Sequence, residues 1–260
     1  MTISRTFLVG ACAVLSAATA SAQPDARFNA DFDRADRRAS QLVDQLRCGQ
    51  RMASLRARGR FGAPDTLGFV GHCVLRPGAY IGVYLDLDST RTRAVRFSAL
   101  DITHDVPYRE ALDTAALVAA SRARYDALGR GGSTMARQFV PFMLRGDADS
   151  VEVWLVPVSI FTGEPVSAGG ERGYVYDPAG RTLARTVDNT AAYQVLTAPD
   201  SARLTIARPG VRIPGLSDLL LANLLLLEKR TLSIELADVT STLLPGNGDG
   251  MWVHTKRAAR

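Results

Sequence analysis

The chain has 260 residues, 47% of them hydrophobic and 22% charged, with a formal net charge of +5 and a mean hydropathy of +0.01. This composition excludes a disordered tail, a collagen-like fibre and a multi-spanning membrane protein, and three cysteines are too few for a disulfide-dense miniprotein. The length suffices for one large domain or two small ones, with a core that needs no metal.

Arg5 is the only charge before Asp25, the run from Phe7 to Leu15 is apolar, and Ala20-Ser21-Ala22 follows. This pattern reads as a secretory signal peptide over residues 1–22, cleaved before Gln23, and predicts export to the periplasm or beyond. The apolar run is far shorter than the roughly 20 residues a membrane-spanning helix needs, so no transmembrane helix is expected in the mature chain. The alternatives are an uncleaved anchor and lipid attachment at Cys12, after Val9-Gly10-Ala11. Cleavage leaves Cys48 and Cys73, which an oxidising compartment would join as a disulfide. Two buried thiols or two metal ligands are the competing readings, and neither cysteine sits in the close pairing a zinc site uses.

Residues 23–60 read as a basic amphipathic helical arm, and 61–260 as a single α+β domain. Phe28, Phe32, Ala35, Ala39, Leu42 and Leu46 recur at spacings of three and four, which places them on one helical stripe. The helix spans 27–58, whole or broken near Gly49. Residues 27–60 hold nine arginines and four aspartates, whereas basic and acidic side chains balance over 61–260. Arg47, Arg51, Arg56, Arg58 and Arg60 follow one another with no acid between them. They are candidates for holding an anionic surface or an envelope partner, or form a solvated face in an arginine-rich chain. No aromatic residues interleave with them, so nucleic acid is not expected as a partner.

Ala79–Asp88 alternates as a strand with one apolar face, and Arg93–Leu100 is its antiparallel partner. Asp86 and Asp88 fall on the same face, as a cation site or as a solvated strand end. His104 lies between a strand and the next helix and is a candidate general base, with Asp86 or Asp88 as its carboxylate. A helix is predicted over Pro107–Leu128, started by Pro107 and stopped by Gly129. Gly129-Arg130-Gly131-Gly132-Ser133-Thr134 has the glycine of a phosphate loop without its lysine and reads as a plain loop. Gly131-Gly132-Ser133-Thr134-Met135 misses the final glycine of a nucleophile elbow.

Strands follow at Arg137–Arg145 and Ser150–Ile160, and then a hairpin around Asp177-Pro178-Ala179-Gly180, whose residues suit a type I turn. Glu171 and Arg172, in a glycine-rich loop before the hairpin, read as a small polar-ligand site or a surface ion pair. After a short strand at Ala202–Arg208, a leucine-rich buried helix begins near Ser217 or Pro214, with Asp218 in its first turn and Lys229 and Arg230 in its last. Asn223 is its one polar residue and requires a hydrogen-bond partner from a neighbouring strand or loop. Thr231–Val239 and Met251–Lys256 are expected to pair as a terminal hairpin.

The prediction is an α+β fold, a mostly antiparallel sheet with two packed helices preceded by an N-terminal amphipathic helix. No motif calls for a cofactor or a metal. The expected function is that of an exported, non-catalytic binding or assembly protein. The alternatives are a small hydrolase whose His104 and carboxylates converge only in three dimensions, and an envelope protein that grips anionic surfaces through Arg47–Arg60.

Overall fold

The computed structural model describes residues 24–61, 70–160, 166–196, 203–246 and 250–257, so the signal peptide expected over residues 1–22, with Cys12, lies outside the described residues. The amphipathic stripe forms one unbroken helix, α1 (Ala26–Ala57), which begins where the Asp25 side chain accepts the Phe28 N–H at 2.6 Å. Gly49 does not break it. That glycine is exposed and meets nothing, so the helix loses only propensity there.

Four strands follow as an antiparallel meander: β1 (Val70–Arg76), β2 (Ala79–Leu87), β3 (Ala94–Asp101) and the two-residue β4 (Val106–Pro107). The alternation expected for Ala79–Asp88 holds. Ile81, Val83 and Leu85 point to one face, while Tyr84 packs with Met52, Leu55 and Phe61 on the other. Gly82 lies under α1 because a Cβ there would meet Met52, Ile102 and Phe61 at 2.8–3.0 Å. Strand β1 was not anticipated.

The second helix, α2, spans Thr114–Gln138, later than the sequence suggested. Pro107 does not open it. That residue pairs in β4 opposite Leu100, while Asp113 accepts the Ala116 N–H at 2.9 Å as the cap. The helix also runs through Gly129, Gly131 and Gly132, so Gly129 does not stop it and the stretch read as a plain loop is helical. An exposed glycine costs a helix about 1 kcal/mol, and the burial of Ala119, Ala123 and Ala127 one side over outweighs it.

A second antiparallel meander is built from β5 (Phe139–Arg145), β6 (Val151–Pro157), β8 (Arg172–Tyr176) and β9 (Leu183–Asp188). The hairpin predicted around Asp177-Pro178 is the β8–β9 connection, closed by Gly180 N–H donating to Asp177 O at 2.9 Å. Gly180 has φ of 65°, and a Cβ there would strike the Ala119 carbonyl, so this position requires glycine on both counts. Between these elements β7 (Ser167–Ala168) pairs with β10 (Gln194–Val195).

The last sheet holds β11 (Arg203–Ala207), β12 (Thr231–Glu235), β13 (Val239–Pro245) and β14 (Gly250–Lys256). β11 and β12 form the one parallel pair among the described residues, linked through α3 (Leu216–Leu227). The predicted partner of Met251–Lys256 is corrected: β13, not β12, pairs with β14. Lys229 and Arg230 fall past the end of α3, and Leu227 is exposed, so only part of this helix is buried. Asn223 finds its partners in helices instead of a strand, donating to Leu219 O at 2.9 Å and Asp36 Oδ1 at 3.3 Å.

The fold is therefore α+β, with three helices among mostly antiparallel sheets. No helix among the described residues is long and apolar enough to cross a membrane. Helix α1 joins the parts. Its first half packs Phe28, Phe32, Ala39 and Leu42 against α3 and the last sheet, and its second half packs Met52 and Leu55 on the first meander. Cys48 and Cys73 are bridged, with their Cα atoms 6.1 Å apart. Closing a loop of 25 residues restricts the unfolded chain. Replacing both cysteines by alanine should lower stability by about 3 kcal/mol, read from the shift of the urea midpoint.

Candidate functional site

The second half of α1 lies over both meanders, and beneath it the edge strands β1 and β5 border a cleft of about 510 Å³. Gln41 and Gln45 of α1 line it, with His72 to Arg76 of β1, Leu112 and Asp113 just before α2, Ala116, Leu117 and Ala120 in its first turns, and the β5–β6 hairpin. The two strand edges are treated differently. Gln45 caps β5: its Nε2 donates to Met143 O at 2.5 Å and its Oε1 accepts Met143 N–H at 3.2 Å. One side-chain amide thus occupies the positions a neighbouring strand would take. Among the described residues strand β1 pairs only with β2, and its outer edge faces the cleft. At the rim, Arg145 Nε meets Asp149 Oδ1 at 2.9 Å.

His72 forms part of the cleft wall but is only 4% exposed, and its Nε2 lies 2.6 Å from Ser121 Oγ. Burial lowers its pKa to about 3, with the Arg124 guanidinium adding to the shift, so the ring is neutral at pH 7. A histidine beside a serine hydroxyl has the form of a base and a nucleophile. Here Ser121 has no exposed surface and lies outside the cleft lining, so no substrate can reach its hydroxyl. The pair holds β1 against α2. Nothing in the local sequence marks it, because the partners are 49 residues apart.

The other histidine–carboxylate pair differs from expectation. His104 Nδ1 lies 2.8 Å from Asp101 Oδ2, while Asp101 Oδ1 accepts the N–H groups of Thr103 and His104. Partial burial pushes the Asp101 carboxyl upward, and these hydrogen bonds outweigh it and hold the group below the usual range. The result is an exposed turn stapled by its own carboxylate. His104 does not meet Asp86 or Asp88. Asp101 pairs with Ile81, five residues before Asp86 along β2, which at about 3.3 Å per residue separates them by roughly 17 Å.

Asp86 and Asp88 do not form a common site. Asp86 faces Arg96 at 3.8 Å, and Asp88 accepts hydrogen bonds from Thr90, Thr92 and Arg93 within its turn. Among the described residues no three His, Cys, Asp or Glu side chains converge as metal ligands would.

The loop carrying Glu171 and Arg172 is also rearranged. Glu171 is fully buried, accepting hydrogen bonds from Ser217 Oγ and from Asn189 Nδ2, the latter at 2.8 Å. Arg172 turns instead to Asp188 at 3.5 Å. Neither an open polar-ligand loop nor an ion pair between the two is formed. Beside Glu171, Arg208 donates to both oxygens of Asp218, at 2.9 and 2.7 Å, and to Gln194 Oε1 at 3.3 Å. Asp218 also accepts the Gly215 N–H at the start of α3. These polar contacts tie β10, the end of β11 and the loop before β8 to the N-terminus of α3.

Another buried carboxylate, Glu152 on β6, accepts from Arg38 of α1 at 2.5 Å and from Trp154 Nε1 at 3.0 Å. It fastens α1 across the second meander.

The five arginines at the end of α1 divide into two groups. Arg56 lies over the Tyr84 ring at 5.4 Å, and Arg60 binds the Asp105 carboxylate at 3.0 Å and its carbonyl at 2.8 Å. Arg47, Arg51 and Arg58 are exposed.

Compared with known proteins, the chain matches no family model, no curated protein and no solved structure. Its function is read from this geometry.

Proposed function

We propose that the protein is an exported, non-catalytic binding protein that accepts an extended polypeptide segment along the free edge of β1. The observation that carries this reading is the cleft itself. It has room for side chains, and along one wall it presents a strand edge with no neighbouring strand among the described residues. An added strand would gain main-chain hydrogen bonds from β1 and place alternate side chains against Leu112, Ala116 and Leu144. Export is supported by the leader-like first 22 residues and by the disulfide, which suits an oxidising compartment. The buried Ser121 and the self-contained His104 turn favour binding over hydrolysis.

A random peptide library displayed on phage, panned against the disulfide-bonded protein, tests the proposal. Selected peptides should shift the backbone amide resonances of Cys73, Val74 and Leu75. Ala116→Trp, which fills the cleft from α2, should weaken them about tenfold or more, equivalent to at least ~1.4 kcal/mol. Unchanged affinity in a folded Ala116→Trp protein, or resonance shifts confined to another face, would overturn the reading.

A further inference from the structure

Arg47, Arg51 and Arg58 form a ridge that nothing else in the fold uses. Arg47 and Arg51 lie one turn apart on α1, and Arg58 is the residue that caps its C-terminal end. Spacings of four and seven keep the three within about 40° of one another around the axis, over about 16 Å. The other exposed residues between them, Gly49, Gln50, Ala53, Ser54 and Ala57, carry no charge. No ion pair to any of the three is formed among the described residues. The nearest acid on the ridge, Asp44, accepts the Tyr80 hydroxyl at 3.1 Å.

The helix cannot rotate to hide these charges. Cys48 is bonded to β1, and Met52 and Leu55 are buried under the same turns. The ridge is therefore a fixed, solvent-exposed array of guanidinium groups along the outer side of α1 and its end. Charges strung over this length along one line do not converge on a single small anion. The ridge suits a plane of negative charge, whose phosphate groups guanidinium can engage in bidentate fashion. The stretch exposes no large apolar side chain, so attachment rests on electrostatics and is weakened by salt.

We infer that α1 is a docking ridge for an anionic lipid surface, contacted through Arg47, Arg51 and Arg58. This inference is independent of the β1 cleft, because it uses a different face of α1 and different residues.

The test is co-sedimentation of the disulfide-bonded protein with phosphatidylcholine vesicles, with and without phosphatidylglycerol, at low ionic strength. Binding should require phosphatidylglycerol and fall as salt is added. Arg47→Gln, Arg51→Gln and Arg58→Gln together should reduce partitioning about 100-fold, at about fivefold per arginine. A second triple variant, Arg27→Gln, Arg34→Gln and Arg37→Gln, makes the same change in net charge at the other end of α1 and should lose far less. Equal losses in the two triple variants would reduce the effect to net charge and overturn the ridge. Binding to soluble polyglutamate without binding to the anionic vesicles would assign the ridge to an acidic polypeptide and overturn the lipid surface.

Discussion

Asp218→Asn is expected to lower the unfolding free energy by about 3–5 kcal/mol, more than any surface ion pair in the protein would. The reason lies in what remains. Arg208 and Asp218 are both almost wholly buried, with side-chain exposures of 7% and 1%. Removing the carboxylate charge leaves the buried guanidinium facing neutral acceptors only, the new amide oxygen, Gln194 Oε1 and the Ala207 carbonyl. The same substitution weakens the cap on Gly215 at the start of α3.

The pair is not thereby a large net source of stability. Burying two charges costs nearly what their attraction returns, so Arg208→Met combined with Asp218→Leu should recover most of the loss. Urea titrations of wild type, Arg208→Met, Asp218→Leu and the double variant form a cycle whose coupling energy reads the interaction. A single-variant loss below about 1 kcal/mol would mean that water reaches Arg208, and that the network around α3 is looser than its hydrogen bonds indicate.

The contrast between this network and the β1 cleft explains which parts of the protein were legible from residues alone. Periodic features were. The stripe from Phe28 to Leu46 gave α1, because every third or fourth residue must find the same core. The alternation through Ile81, Val83 and Leu85 gave β2, and Asp177-Pro178-Ala179-Gly180 gave the turn between β8 and β9. Boundaries were harder. Pro107 is compatible with a helix start and with an edge strand, and the choice rests on pairing with Leu100. Strand β1 escaped notice because Gly71, His72 and Cys73 interrupt its apolar run.

Burial of charge was the least legible property. Glu171 sits among glycines in a stretch that reads as an exposed loop, yet Asn189 and Ser217, 18 and 46 residues away, hold it inside. The cleft is of the same kind. Gln45, His72, Ala116 and Met143 come from four elements, and no local pattern announces their meeting. What can be read locally are the elements, whereas both the polar network and the cleft arise from their edges.

His72 makes stability depend on pH in a window that separates it from the carboxylates. Its ordinary pKa of 6.5 applies to the unfolded chain, and burial, reinforced by Arg124, lowers it to about 3 in the folded protein. Between these values the unfolded chain binds a proton that the folded protein refuses, so acid favours unfolding and stability rises with pH. From neutral pH down to about pH 4.5 the contribution lost is about 3 kcal/mol, at 1.36 kcal/mol for each pH unit traversed. Carboxylates held below their ordinary range, such as Asp101 and Asp188, lose their contributions only as pH falls further, below about 4. His254 is also lowered by burial, opposed by Asp33 and Asp36, and acts in the same direction. The slope must therefore be assigned by substitution. His72→Gln removes the titrating group and should flatten the dependence of the urea midpoint on pH between about 6.5 and 4.5, whatever it does to stability at pH 7. His254→Gln should leave most of that slope in place. A His72→Gln protein that retains the full wild-type slope would show that the ring takes up its proton in the folded state, and that the contact between β1 and α2 opens to admit water.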